Sequence, residues 1–372
     1  MNSSNSMEHA RRLDALLERM REHELGLVLL FDRDNIRYFT GFQLNRVVAS
    51  ILAISLEEGP VYFVAKLDLN RAKRDGWIER VIPFPEDTPN YLDVLRPLFG
   101  NSGERIGAEK DSLTLAQAEY LRGLSSGKSE FVDVRAITSE LRAIKSDEEI
   151  ACLRRAAEIA SNAMELVQGA IRPGVREIEL SSWTEYLVGQ EGAEGASFEP
   201  FFMSGENAWL PQRISSQKVL AEGELALLDM GAIYDGYCSD ITRTFAIGDI
   251  SPEQEQIFRV AREAQQAGIE AIRPGVRACD VDAAARTVIE DAGFGEYFPH
   301  LTGHGIGISS HEMPIADRGV ETILQSGMVL TVEPGIYLPG IGAARVEDMV
   351  VVTPLGCEVL TSAPRGLTGK KE

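Results

Sequence analysis

Residues 225–245 read LALLDMGAIYDGYCSDITRTF, and this stretch sets the architecture of the second half of the chain. Two runs of alternating apolar residues flank Tyr234-Asp235-Gly236, and an Asp-Gly pair in that setting is a strong signal for a β-hairpin. Asp229 and Asp240 stand at similar distances from the turn, so we expect them on adjacent strands. A buried carboxylate without a partner is very costly, so Asp229 needs either a metal ion or a salt bridge with Arg243.

Three more candidate metal ligands lie downstream. His304 is surrounded by glycines within residues 303–307, and glycines let the backbone come close to a ligand. Glu333 ends an apolar run just before Pro-Gly, and Glu347 shares one face of a strand with Arg345. Carboxylates with one imidazole suit Mn²⁺, Co²⁺ or Zn²⁺. One metal seldom needs four carboxylates, so the count predicts two metals that share bridging carboxylates. The full set is Asp229, Asp240, His304, Glu333 and Glu347.

Each of these residues also has a purely structural interpretation. His304 could be an ordinary core histidine, and Glu333 a charge at the end of a strand. Glu347 could pair with Arg345 on a solvated face. Three of the five histidines, however, fall within twelve residues of sequence around His304. Because these contexts occur together, we favour the metal site over the separate structural explanations.

A six-residue repeat, Ala-Ile-Arg-Pro-Gly-Val, occurs at residues 170–175 and again at 271–276. In both copies a long helical pattern precedes it, and an amphipathic helix follows it, at Glu177–Gln190 and at Asp280–Ala292. Strands come next in each case. Six identical residues in the same context indicate two related halves. We therefore predict a pseudo-two-fold α/β (α+β) domain with its site at the seam between the halves.

The first part of the chain has a different pattern. Strands alternate with helices from the first residue to about residue 140, which predicts a small α/β domain. A helix is expected at Met7–Glu24, and Asp32–Phe42 is expected to be a loop. Ser146 is a good N-cap for a long helix. We therefore expect an N-terminal domain at residues 1–140 and a second domain at 141–372.

Composition narrows the class of protein. A chain of 372 residues is too long for one small core, so two domains are expected. A formal net charge of −20 argues against nucleic acid and anionic membranes as partners, because phosphates repel such a surface. No apolar run approaches the ~20 residues of a membrane span, and no secretory signal is expected. Four cysteines without CxxC spacing are typical of free thiols in a reducing cytoplasm, where we expect this protein.

Taken together, these residues resemble the pita-bread metallopeptidases, which include aminopeptidase P, prolidase and methionine aminopeptidase. The order Asp, a second Asp eleven residues on, then His, Glu and Glu matches their ligand order, and residues 146–362 resemble their catalytic domain throughout. Residues 1–140, with NIRYFTGF at Asn35–Phe42, resemble the N-terminal domain of prolidase, aminopeptidase P and creatinase. Methionine aminopeptidases lack that domain. The resemblance therefore implies an Xaa-Pro peptidase, which hydrolyses the amide bond before proline in a peptide or small amide substrate.

The resemblance also implies a cofactor. It implies two divalent metal ions per chain, with manganese first and cobalt, zinc or iron as alternatives. Asp229 would bind one metal, and Asp240 and Glu347 would bridge the two. His304 and Glu333 would complete the shell of the other metal. A hydroxide that bridges the metals would attack the substrate carbonyl.

Residues beyond the ligand set receive roles from the same resemblance. His311 matches a histidine that contacts the substrate carbonyl and would donate to the oxyanion. His300 matches a second histidine of the pocket, and Arg345 matches the arginine two residues before the last ligand. Tyr337 is expected to bind substrate with them. Glu333 would also shuttle a proton to the leaving nitrogen, which makes it catalytic as well as a ligand.

One position departs from the family. Gln212 stands where the family usually has a histidine, seventeen residues before Asp229. Glutamine can hydrogen-bond substrate but cannot carry a proton at neutral pH. This leaves a second hypothesis open, a metal-dependent hydrolase or lyase of a small non-peptide metabolite, like creatinase or ectoine hydrolase. A third is a non-catalytic binding protein. Resemblance to prolidases further implies a homodimer.

Overall fold

A computed structural model describes residues 3–43, 48–84, 90–99, 105–125, 129–210 and 214–367. The chain divides into two compact units, Met1–Leu141 and Arg142–Glu372. None of the described helices is long and apolar enough to cross a membrane.

The first unit is built on one mixed sheet. Its strands are β1 (Leu27–Leu30), β2 (Ser50–Ser55), β3 (Gly59–Val64), β4 (Val81–Pro83), β5 (Arg105–Ala108) and β6 (Glu130–Asp133). Its helices are α1 (Ser3–Glu22), α2 (Arg33–Thr40), α3 (Leu69–Asp75) and α4 (Leu115–Leu124), with a 3₁₀ helix at Tyr91–Leu98. Helix α5 (Arg135–Ala143) follows β6. The strand order is β4-β3-β2-β1-β5-β6, with β2 antiparallel to both of its neighbours and the other pairs parallel.

The prediction of a loop at Asp32–Phe42 is wrong, because this segment contains α2. The Asp32 side chain accepts a hydrogen bond from the Asn35 backbone N–H and caps the first turn. Gly41, at φ 66°, ends the helix in the left-handed conformation that glycine adopts readily. The buried carboxylate of Glu109 adds hydrogen bonds from two backbone N–H groups at 2.6 and 2.7 Å, immediately before the helix.

The second unit contains five helices and thirteen strands among its described residues. The helices are α6 (Asp147–Gln168), α7 (Glu177–Gln190), α8 (Glu206–Trp209), α9 (Pro252–Ala271) and α10 (Ala278–Asp291), with a 3₁₀ turn at Gly295–Tyr297. The first strands are β7 (Gly195–Ala196), β8 (Phe201–Ser204), β9 (Glu224–Met230), β10 (Ala232–Tyr234), β11 (Tyr237–Cys238) and β12 (Ile241–Ile247). The later strands are β13 (Gly303–Gly305), β14 (Glu312–Ala316), β15 (Val329–Val332), β16 (Gly335–Leu338), β17 (Gly342–Arg345), β18 (Asp348–Thr353) and β19 (Gly356–Val359).

These strands form four small sheets, with orders β11-β10-β7, β12-β9-β8, β14-β13-β15-β18-β19 and β16-β17. Helices α6 and α7 bury apolar side chains against β9 and β12, with Ile159 and Leu228 in one cluster. Helices α9 and α10 do the same against β15 and β18, with Ile269 and Leu330 in another. Each half therefore has its own layer of two helices over a sheet.

The six-residue repeat has the same structure in both halves. Gly174 and Gly275 have φ values of 89° and 87°, which glycine adopts without strain. Their backbone N–H groups donate to Leu220 O at 3.0 Å and Leu324 O at 2.9 Å. Each repeat thus leads into the second helix of its half, and its glycine is held by the segment that precedes β9 or β15. The prediction of two related halves is confirmed.

Candidate metal centre

The predicted hairpin is present and places the first two carboxylates. Asp235 and Gly236 both have positive φ, 46° and 87°, as a tight turn between β10 and β11 requires. The chain then returns along β9, so that Thr242 on β12 lies opposite Asp229. Asp240 comes immediately before β12. The prediction that both aspartates lie on strands is therefore right for Asp229 and wrong for Asp240, but register and turn still bring the two carboxylates into one buried region.

The other three candidate ligands come from the second half. His304 lies in the middle of β13, Glu333 directly after β15, and Glu347 between β17 and β18. The glycines beside His304 are needed, since a Cβ on Gly303 would collide with Thr331 O and one on Gly305 with Met313 O. Strands from both halves therefore deliver side chains to one place, as the two-half prediction implies.

The side chains converge in a largely buried cluster. Ligand atoms of Asp240, His304 and Glu347 all lie within 4.8 Å of one another. His304 Nε2 is 3.2 Å from Glu333 Oε1 and 3.7 Å from Asp240 Oδ2. Burial first, and then the charges of Glu347 and Asp229, raise the pKa of Asp240, so Asp229 belongs to the same electrostatic cluster. Four of the five candidates are at most 4% exposed, and the side chain of Glu333 is 12% exposed.

Burial and crowding make the carboxylates hard to ionise. Burial, followed by the charges of neighbouring carboxylates, raises the pKa of Asp240 and of Glu347 well above the usual range. Among the described residues, Asp240 Oδ1 and Glu347 Oε1 are also buried without a hydrogen-bond partner. Buried oxygens of this kind are expensive unless something positive compensates them. The orphaned oxygens and the oxygen-rich donor set fit a divalent cation.

The orientation of His304 fits the same interpretation. Its Nδ1 lies 3.0 Å from Gly305 O, and because a carbonyl only accepts, Nδ1 carries the proton. Nε2 is therefore the nitrogen directed at the carboxylates, which is the tautomer that a metal ligand needs. In metal-free protein burial opposes a charge on His304, but the nearby Glu333 outweighs burial and raises its pKa, so the protonated ring can donate from Nε2 to Glu333. Burial opposes a charge on Glu333, but this hydrogen bond, the charge of the ring and the nearby Arg345 outweigh burial and lower its pKa to about 2. A bound metal would take the place of that Nε2 proton.

Arg345 compensates Asp229, and this settles two structural alternatives. Its Nη2 donates to Asp229 Oδ2, its Nε to Thr242 Oγ1 at 3.1 Å, and its Nη1 to Tyr337 OH at 2.9 Å. The structural alternative of an Asp229–Arg243 salt bridge is wrong, because Arg243 pairs with Asp348 at 2.7 Å. A solvated pair of Arg345 with Glu347 is also wrong, because both side chains are buried.

His300 is held beside this arginine. Its Nδ1 donates to Leu301 O at 2.7 Å, so its Nε2, 3.0 Å from Tyr337 OH, accepts from the tyrosine. Tyr337 in turn accepts from Arg345. Burial lowers the pKa of His300, so it is neutral at pH 7. The chain of hydrogen bonds Arg345–Tyr337–His300 thus has a fixed direction.

His311 lies against the metal-site histidine. Its ring stacks on that of His304 with centroids 3.7 Å apart and planes 14° apart, and its side chain is exposed. The next residue, Glu312, is anchored by Arg142 Nη2 at 2.5 Å and Lys145 Nζ at 2.7 Å. Gln212, the remaining predicted site residue, lies outside the described residues.

Sequence reasoning missed two threonines that orient the carboxylates. Thr242 Oγ1 donates to Glu347 Oε2 at 2.7 Å, and Thr331 Oγ1 donates to Glu333 Oε1 at 3.2 Å. Thr331 Oγ1 also accepts from the His304 backbone N–H at 3.1 Å. The available signal was strand alternation, since Thr331 precedes Glu333 by two residues and so shares its face.

Comparisons with known proteins agree with this architecture. Residues 151–354 match metallopeptidase family M24, and residues 12–144 match the creatinase/prolidase N-terminal domain. The Xaa-Pro dipeptidase of Pyrococcus furiosus is 35% identical over 96% of this chain and 99% of its own length. The prolidase structure from Pyrococcus horikoshii OT3 superposes with a TM-score of 0.89 at 33% identity, covering 96% of this chain and 99% of that one. The Xaa-Pro dipeptidase structure from Bacillus anthracis gives a TM-score of 0.88 at 34% identity, with the same coverage.

These findings confirm the predicted resemblance and the predicted fold, an N-terminal creatinase-type domain followed by a pita-bread catalytic domain. They give no support to the alternative of a hydrolase for a small non-peptide metabolite.

Proposed function

Because the chain belongs to metallopeptidase family M24, we propose that it is a metal-dependent Xaa-Pro peptidase, of the prolidase or aminopeptidase P type. The observation that carries the proposal is the buried group of Asp240, His304 and Glu347, whose oxygens include two without partners. Relatives and solved structures named Xaa-Pro dipeptidase or prolidase support the choice of bond.

Five residues are proposed to hold two divalent ions, with manganese first. Asp240, His304 and Glu347 are supported by their mutual approach, and Glu333 by its 3.2 Å distance to His304 Nε2. Asp229 is supported by its place opposite Thr242 and by its charge on Asp240. When bound, the ions would lower the pKa of a water molecule in the site and polarise the substrate carbonyl.

The chain's own residues are proposed to handle protons and orientation. Glu333 is ionised at neutral pH and can accept a proton and pass it to the leaving nitrogen. His311, on the exposed side of His304, would donate to the developing oxyanion. His300 and Tyr337 would contact substrate next to the site. Arg345 is buried and occupied by protein partners, which favours orienting Asp229 over direct contact with substrate.

Further details of the assignment are also proposals. We propose residues 1–140 as the N-terminal domain and residues 141–372 as the catalytic domain. We propose a homodimer, because prolidases resemble this chain over its whole length. Light scattering that gives the 40.8 kDa mass of one chain at micromolar concentration would contradict it. A cytoplasmic location is supported by the four cysteines, which lack the CxxC spacing of a metal or redox motif.

The experiment is a substrate panel with metal analysis on protein purified with Mn²⁺. The panel contains Xaa-Pro dipeptides, longer peptides with proline second, Xaa-Ala dipeptides as matched controls, and small non-peptide amides. We expect cleavage of Xaa-Pro bonds and near two metals per chain. Turnover of only the non-peptide amides, or equal cleavage of Xaa-Ala and Xaa-Pro, would overturn the proposal.

A further inference from the structure

Arg243 sits behind the metal centre and uses its whole guanidinium group on protein partners. It is 2% exposed and follows Thr242 on β12. Its Nη1 donates to Glu347 O at 2.6 Å and to Thr242 O at 2.9 Å. Its Nε and Nη2 donate to Ala363 O at 3.1 and 2.7 Å, and Nε also reaches Pro364 O at 3.0 Å. One side chain therefore joins the backbone of Glu347 to the segment after β19.

Asp348 completes the junction from the opposite face of the chain. This carboxylate is fully buried and accepts four hydrogen bonds, all between 2.6 and 2.7 Å. The four donors are Arg243 Nη2, Thr361 Oγ1, Gln265 Nε2 and Arg365 Nε. Thr361 and Arg365 belong to the same segment that Arg243 holds. Asp348 thus anchors its own backbone from α9 and from the chain beyond β19.

Glu347 lies between these anchors. Its backbone N–H donates to Thr242 O at 3.1 Å, its carbonyl accepts from Arg243, and the next residue is Asp348. Its side chain points the other way, where Oε2 accepts from Thr242 and Oε1 has no partner. The backbone that carries this carboxylate is therefore fixed on both sides by groups that never reach the metal centre.

We propose that Arg243, Asp348 and the segment Thr361–Arg365 act together as a positioning clamp that sets the affinity of the metal centre through Glu347. The clamp rests on the proposed assignment of Glu347 as a ligand. A carboxylate that is mobile without metal loses conformational entropy when the metal binds, and this weakens binding. A carboxylate that is already fixed in place loses much less. Residues that orient metal ligands typically change metal affinity by about 10- to 100-fold when mutated.

The segment Thr361–Arg365, which lies outside the strands that carry the candidate ligands, has a function in this proposal. Thr361 Oγ1 donates to Asp348 at 2.6 Å and accepts from the Met349 backbone N–H at 3.2 Å. Replacing this hydroxyl removes one anchor without touching any candidate ligand. We therefore expect the segment Thr361–Arg365 to influence Mn²⁺ binding although none of its residues is a candidate ligand.

The test is calorimetric titration of metal-free protein with MnCl₂ alone, for the parent and for Asp348→Asn and Thr361→Val. The matched control is Glu177→Gln. Glu177 is likewise fully buried, and it accepts hydrogen bonds from the backbone or side chains of Ser204, Asn207 and Ser216, none of them a candidate ligand. Urea unfolding of the metal-free proteins measures how much each variant destabilises the fold.

We expect Asp348→Asn to weaken Mn²⁺ binding by about 10-fold or more, and Thr361→Val to weaken it by less in the same direction. At saturating Mn²⁺, kcat should return to near the parent value, because Glu347 itself is retained. Glu177→Gln should destabilise the fold without changing Mn²⁺ affinity. If Asp348→Asn does not fold, Thr361→Val decides the question.

Two results would overturn the clamp. Mn²⁺ affinities within twofold of the parent value in both variants would show that Glu347 does not depend on Asp348 and Thr361 for its position. An equal loss of affinity in Glu177→Gln would show a general effect of instability. A parent protein that binds no Mn²⁺ would instead refute the proposed metal site, so the two failures are distinguishable.

Discussion

Two buried groups in the first unit should give its stability opposite dependences on pH. Burial, reinforced by the charge of Arg12, lowers the pKa of His9 from 6.5 to about 4. Burial also raises the pKa of Glu109 from 4.5 to about 7, although the hydrogen bonds that its carboxylate accepts from Asp32, Phe31 and Asn35 oppose the increase. Each change corresponds to roughly 3 kcal/mol, since one pKa unit is about 1.4 kcal/mol.

Whether stability rises or falls with pH depends on which state, folded or unfolded, binds more protons. Between pH 4 and 6.5 the unfolded chain binds more protons at His9, so its contribution to stability is present above pH 6.5 and lost as the pH falls towards 4. Between pH 4.5 and 7 the folded chain binds more protons at Glu109, so its contribution is present below pH 4.5 and lost as the pH rises towards 7. From pH 4.5 to 6.5 the two slopes oppose each other.

Trp77 provides an assay for this unit. Its ring stacks on His9 with centroids 6.1 Å apart, and its Nε1 donates to Phe39 O at 2.6 Å. The chain has three tryptophans, so Trp183→Phe and Trp209→Phe leave Trp77 as the only one. Urea unfolding followed by its fluorescence at several pH values gives the stability of the first unit.

In that background we expect His9→Gln to make stability fall with rising pH between 4.5 and 6.5, because the contribution of Glu109 is then no longer opposed by that of His9. Glu109→Gln should make stability rise over the same interval. Each difference from the parent curve should reach roughly 2–3 kcal/mol. Two variants with the same slope as the parent would refute the assigned protonation states.

Three further predictions concern the site. His311→Ala should retain its Mn²⁺ but have a kcat about 100-fold lower, as expected when a hydrogen-bond donor to the transition state is removed. Loss of Mn²⁺ from this variant would show instead that His311 is a metal ligand. Gln212 lies outside the described residues, and we expect the parent to be weakly active on Xaa-Pro dipeptides. Gln212→His should raise kcat/KM on these dipeptides and add a pH dependence near neutrality. A slower variant would instead show that the glutamine is suited to the substrate of this protein. Thr242→Val should cost the Mn²⁺-loaded protein roughly 2–4 kcal/mol in urea unfolding, because Glu347 and Arg345 lose the hydroxyl they share. Thr242→Ser keeps that hydroxyl, and an equal loss in both variants would contradict the role.

Local signals were sufficient to predict much of this architecture. The Asp235-Gly236 turn requires positive φ, a property of those two residues alone, and the structure has it. The repeat at 170–175 and 271–276 likewise carries its own turn. Helix α2 was missed although Asp32 and Gly41 provide both of its caps. Its eight residues are too few to show a clear 3.6-residue repeat of apolar side chains. Without that repeat, capping residues are typical of loops as well as of helix ends.

Partners across the fold could not be predicted in the same way. Asp229 is bound to Arg345, which lies 116 residues away, whereas the nearer Arg243 turns to the opposite side and binds Asp348. The alternation of side chains along a strand predicts which face of the sheet each one lies on. It does not predict which other strand packs against that face. Pairing of β9 with β12 is local, but the approach of β17 depends on long-range packing. The clamp behind Glu347 is invisible in the sequence for the same reason.

The central claim is that a buried carboxylate cluster holds metal for the cleavage of Xaa-Pro bonds. Its most direct test is to titrate metal-free protein with MnCl₂ while following hydrolysis of an Xaa-Pro dipeptide, in the parent and in Asp240→Ala. Activity should be absent without metal, rise to a plateau near two Mn²⁺ per chain, and stay absent in the variant. Hydrolysis by the metal-free protein, or an Asp240→Ala variant that binds Mn²⁺ and turns over like the parent, would contradict the claim.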